Sequence, residues 1–221
     1  MTRMTAIAAL CLTLVAGAAW WLTSAGDTPP DLTFAANAQE AGDVDTSSIV
    51  EMSLGNADAD VTVIEYASFT CPHCADFHAN QFKKLKADYI DADKIQFIYR
   101  DVFFDRFGLW ASMLARCGGK ERFFGLTSVI YDKQKDWIGS GDPVAIANEL
   151  RKIGKVAGLD EDRVEQCLAD QDKAKALVAW YQQNAEEHDI NSTPSLVING
   201  EKYSNMAYDE LKAVIDEKLG G

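Results

Sequence analysis

The stretch FTCPHCADFH, residues 69–78, places two thiols, Cys71 and Cys74, three positions apart with a proline and a histidine between them. A dithiol at this spacing suits metal ligation, a structural crosslink, or reversible thiol–disulfide exchange. A zinc site would draw on Cys71, Cys74 and His78, which share a helix face. The chain, however, has no second Cys-x-x-Cys, and only His188 lies outside this segment to add a ligand. Haem attachment requires a histidine directly after the second cysteine, where Ala75 stands. A purely structural bridge across two residues removes little chain entropy and so stabilises little. Exchange chemistry fits the pair best.

The flanking residues predict how the thiols are held. DVTVIEYASF, residues 60–69, is rich in β-branched and aromatic residues and almost continuously apolar, as in a strand covered on both faces, and it ends directly at the cysteines. Beyond Cys71, apolar residues recur at Cys74, Phe77, Phe82, Leu85 and Tyr89, the spacing of one helical face. Pro72 suits the first turn of that helix, so Cys71 stands at its N-terminus. There the unpaired backbone N–H groups and the positive end of the helix dipole favour a thiolate, and Cys71 is expected to have a lowered pKa. His73 acts in the same direction if it is protonated or donates a hydrogen bond. Cys74, one turn in, is expected to be buried and less acidic. On this reading Cys71 exchanges and Cys74 resolves. A second strand at KIQFIYRDV, residues 94–102, completes a strand–helix–strand unit that favours parallel pairing.

The rest of the chain sets the frame. Residues 104–188 carry only helical periods, with Asp142, Asp160 and Asp172 as expected caps and Gly118-Gly119 as a stop. Strand signals return at TPSLVING and EKYSN around Asn199-Gly200, a hairpin turn, and a final amphipathic helix follows from Met206 to Leu219. A short first strand is expected at Ile49–Leu54. The expected fold class is α/β, interrupted by an all-helical insert long enough for a core of its own. At 221 residues, with 48% hydrophobic and 25% charged residues, the chain can fold around one sizeable core. Its net charge of −13 argues against a nucleic-acid partner. Arg3 followed by the apolar run at 6–22 reads as an export signal or retained anchor, residues 1–25, with a linker at 26–48. Cys11 falls within that run, outside the folded protein. Export puts Cys71, Cys74, Cys117 and Cys167 in an oxidising compartment where disulfides persist.

VIEYASFTCPHCADFH at 63–78, followed far downstream by NSTPSLVING at 191–200, resembles the DsbA family of exported thiol:disulfide oxidoreductases. The resemblance implies a thioredoxin-like fold over 49–103 and 189–221, with the helical domain inserted at 104–188. It implies a redox-active disulfide between Cys71 and Cys74, flanked by Pro72 and His73. Pro194 matches the family's cis-proline, and Thr193 the residue whose backbone groups meet an extended substrate. Glu65 matches the acidic residue beneath the dithiol, able to relay a proton to or from Cys74; otherwise it is a strand residue reaching solvent at an edge. Some relatives carry a second, structural disulfide in the helical domain. With Cys71 and Cys74 paired, that leaves Cys117 with Cys167, unless the two are reduced and packed as small apolar residues. The implied activity is oxidation of reduced, unfolded exported proteins by a monomer with no cofactor of its own, reoxidised by a quinone-linked membrane partner of the DsbB type. Thr193 departs from the valine of the best-known periplasmic oxidases and matches disulfide isomerases. A reductase or isomerase, or a non-catalytic metal- or peptide-binding module, is the alternative reading.

Overall fold

The computed structural model describes residues 44–139 and 141–220. The expected signal or anchor at 1–25, Cys11 and most of the linker at 26–48 lie outside the described residues. Five strands form one sheet: β1 (Met52–Gly55), β2 (Thr62–Ala67), β3 (Gln96–Asp101), β4 (Ser195–Ile198) and β5 (Glu201–Ser204), in the order β1-β3-β2-β4-β5. β2 is parallel to β3, with Glu65 opposite Tyr99, and all other pairs are antiparallel. The parallel pair is joined by helix α1, residues 72–90. This helix has α-helical turns over Pro72–Phe77 and Lys83–Leu85 and wider π-helical turns over His78–Phe82 and Lys86–Ile90. Asn199 and Gly200 both take positive φ, 48° and 83°, as a two-residue turn between twisted strands requires.

Between β3 and β4 the chain is helical: α2 (Arg106–Cys117), α3 (Lys120–Asp132), α4 (Gln134–Ile138), α5 (Pro143–Val156), α6 (Glu161–Ala169) and α7 (Gln171–Glu187). The last helix, α8, spans Tyr208–Lys218. The caps explain the boundaries. Asp105 accepts from the N–H groups of Phe107 and Gly108, Asp142 from Ala145, and Asp160 from Arg163. Each satisfies a donor the helix itself leaves unpaired. Asp170, not Asp172, ends α6 and caps α7 by accepting from Lys173. The first strand begins three residues later than expected, because Ile49 packs instead with Leu109 of α2 and Leu177 of α7.

Alternation along the strands gives the sheet two apolar faces. Val63, Phe97, Tyr99, Leu196 and Ile198 pack with Phe77 and Leu85 of α1, whereas Tyr66, Val102 and Val197 pack with Tyr181 of α7. The first cluster continues without a break into the insert through Phe123, Leu126, Trp137 and Leu150. The insert therefore shares the core of the sheet, and a second cluster, formed by Leu109, Met113, Ala174, Ala176 and Leu177 with Ile49, lies almost wholly within it. Trp137 is buried, and its indole N–H donates to the Ile130 carbonyl at 2.9 Å. Large aromatic side chains bridge the two parts, each contributing on the order of 2 kcal/mol by leaving water. Among the described residues, no helix is long and apolar enough to cross a membrane.

Candidate active site

β2 ends at Ala67, and the Cys71 N–H donates to the Ser68 carbonyl at 3.1 Å in the turn into α1. Cys71 is the extended N-cap of α1, with φ −84° and ψ 118°, and Pro72 occupies the first turn. The Cys71 carbonyl accepts from the N–H groups of Cys74 and Ala75, both at 3.2 Å. Cys71 retains 8% exposure, whereas Cys74 has none. Both thiols are free in this structure.

The two sulfurs sit in opposite electrostatic settings. The Cys71 thiol is pushed down from 9.0 to about 5, chiefly by the Cys74 thiol donating to it. Burial opposes the shift; the Thr193 side chain and the backbone N–H groups of Cys74 and His73 add to it. In the thiol form Cys71 Sγ donates to the Thr193 carbonyl at 3.5 Å, and the buried Thr193 hydroxyl has no partner. That hydroxyl is free to donate once the thiolate forms. His73 is exposed, and its backbone N–H bears on Cys71. The Cys74 thiol is pushed far up, first by burial, then by its hydrogen bond to Cys71 and by the negative charge of Glu65.

The Thr193–Pro194 peptide is cis, and the Ser195 hydroxyl braces the loop by donating to the Ser192 carbonyl at 2.8 Å. The loop leads into β4, the neighbour of β2, which sets Thr193 against Cys71. Glu65 stands on the central strand with no exposure, not at a solvent edge, and its Oε2 meets His78 Nε2 at 2.9 Å. Cys117 and Cys167 are joined by a disulfide between α2 and α6. The structure thus brings Cys71, Cys74, Thr193, Pro194 and Glu65 to one place.

Two residues at the site were given no part in the exchange chemistry by the sequence. Gln134, on the short helix α4, is buried and donates its side-chain N–H groups to the carbonyls of Phe69 and Cys71, both at 2.9 Å. It ties the insert to the loop that carries the thiols. His78, seven positions after Cys71, is buried against Glu65. The helical period does place His78 one turn beyond Cys74, and that spacing was the only available hint.

A sheet with a crossover helix, a Cys-x-x-Cys at that helix's N-terminus and a cis-proline beside it define a dithiol protein of thioredoxin-like fold, here with a helical insertion. The chain belongs to the thioredoxin family: the family described as Thioredoxin matches residues 47–217. Its relatives place it with the DsbA-like members. It is 34% identical over 174 residues to a putative protein-disulfide oxidoreductase of Rickettsia bellii, covering 76% of this chain and 64% of that protein. It is 29% identical over 180 residues to disulfide bond formation protein D of Bacillus subtilis, covering 76% and 77%. The crystal structure of Wolbachia pipientis alpha-DsbA1 superposes with a TM-score of 0.70 at 28% identity, covering 77% of this chain and 91% of that one. The chain spans 60% to 64% of the length of the Rickettsia relatives it matches.

Proposed function

We propose that the protein is a thiol:disulfide oxidase that donates a Cys71–Cys74 disulfide to reduced cysteines of exported, unfolded proteins in the periplasm. A substrate thiolate attacks Cys71 Sγ and the bond to Cys74 breaks, its electron pair leaving on Cys74. A mixed disulfide then lies against the Thr193-Pro194 loop, whose backbone groups receive the substrate as an added strand. A second substrate thiolate attacks the substrate sulfur of that bond and releases Cys71 as thiolate. The substrate is oxidised by two electrons and the enzyme is left as dithiol. A quinone-linked membrane protein of the DsbB type takes those electrons back. In this scheme residues 49–103 and 189–221 form the exchange domain and 104–188 the insert that backs it.

The observation that carries this reading is the contrast between the two sulfurs. A thiolate stabilised at Cys71 favours the reduced dithiol over the disulfide, so the disulfide is a strong oxidant, and Cys71 is also the better leaving group. Equilibration with glutathione buffers tests it, with oxidative refolding of a reduced test protein alongside. The expected result is a potential well above that of the glutathione pool, together with catalysed refolding. A reducing potential would assign the protein to the reductases.

A further inference from the structure

His78 is a buried titratable group, one turn beyond Cys74, for which the exchange scheme has no use. It keeps 6% exposure, while Glu65 and Cys74 keep none. Its Nε2 bonds Glu65 Oε2 at 2.9 Å, and the other carboxylate oxygen, Oε1, is buried without a partner. The ring is clamped in place, stacked on Tyr131 with centroids 4.3 Å apart and against Phe82 at 4.7 Å. The titratable groups packed around it are Glu65 from β2, Tyr99 from β3, Tyr131 from α3 and, one turn earlier on its own helix, Cys74. The two tyrosine hydroxyls bond each other at 2.8 Å, which leaves Glu65 as the proton partner of the imidazole.

We infer that His78 is a positioning residue that supplies, through Glu65, the proton Cys74 takes up and gives back in each exchange. This rests on the oxidase reading and extends it. When the disulfide opens, Cys74 becomes a thiolate in a site without water access. The Glu65 carboxyl protonates it; the resulting carboxylate takes the His78 Nε2 proton and is a neutral carboxyl again, while the imidazole takes up one proton at Nδ1 in its place. No electrons move in these steps, and one proton enters per bond opened. In the reverse direction the Cys74 thiol loses its proton along the same path before attacking. Burial disfavours a free thiolate at Cys74, and so would a charge on Glu65, so a departure without a proton from the Glu65 carboxyl would be slow.

The test is the rate at which a small dithiol reduces the Cys71–Cys74 disulfide across pH, corrected for the thiolate fraction of the reductant. Gln at position 78 keeps a donor for Glu65 but cannot titrate. H78Q is expected to slow the step by about tenfold or more and to remove an inflection from the pH profile, as lost proton transfer does. E65Q is expected to slow it at least as much. An H78Q protein with wild-type rate and profile overturns the inference; if E65Q also matches wild type, the relay role of Glu65 falls with it. If only E65Q is slow, Glu65 acts without His78. Should wild type fail to react with protein thiols at all, the oxidase reading itself fails. A readout that needs no variant is the ring resonance of His78. Its titration is expected to differ between the oxidised and reduced proteins, and identical titration in both would contradict the relay.

Discussion

Cys71 must hold a negative charge, and the groups that lower it are dipoles: a thiol, a hydroxyl and two backbone N–H groups. Because these donors are fixed by the helix start and the cis-proline loop, the thiolate is accommodated without reorganisation. One consequence is a pH dependence of the redox potential. Between the Cys71 value of about 5 and the much higher Cys74 value, reduction adds two electrons and one proton. The potential is therefore expected to fall by about 30 mV for each unit rise in pH, steepening to about 59 mV below Cys71's own titration. Equilibration with a thiol couple at several pH values measures this slope. A slope of about 59 mV through neutrality would mean that Cys71 is still protonated there.

The elements divide into those the sequence makes legible and those it does not. β2, α1 and β3 are legible because each buries a periodic apolar face and because a proline marks the helix start; the hairpin is legible because Asn199-Gly200 admits few other conformations. Cys71, Cys74, Thr193 and Pro194 could be named from motif alone. Gln134 could not, since one glutamine in a helical stretch looks like any surface residue until the fold turns it onto two carbonyls of a distant loop. The choice of Asp170 over Asp172 as a cap was equally hidden, because both lie at the start of the same helical stretch and only the break between α6 and α7 decides. How far the core of the sheet runs into the insert was not legible, because periodicity shows that a helix has an apolar face without showing what covers it. The disulfide between α2 and α6 closes a separation of 50 residues, for which chain entropy gives about 4 kcal/mol. The C117S/C167S protein is expected to lose about that much stability to urea unfolding while keeping its Cys71 titration unchanged. A large change in that titration would mean that the bond also shapes the dithiol site.

For the whole molecule, folding and redox state are linked. Cys71 ionises at about 5 in the folded dithiol against 9.0 for an ordinary thiol. Its contribution to the stability of the reduced protein is therefore fully present above the unfolded value and is lost as pH falls through the folded one. The disulfide form has no such term, and so short a loop gains little entropy in return. The reduced protein is expected to unfold at higher urea than the oxidised protein at neutral pH. The difference should narrow as pH is lowered toward 5. Paired unfolding curves across pH check this, and an oxidised form that is the more stable at neutrality would contradict it. Most surface charge is acidic, with a net −13, and takes no direct part in this balance.

The most direct test is the ultraviolet thiolate absorbance of the reduced protein, followed as pH is raised and compared with the oxidised form. The account predicts one thiolate appearing with a midpoint of about 5, with the second sulfur silent through neutrality. A midpoint near 9.0, the value of an ordinary thiol, would contradict it.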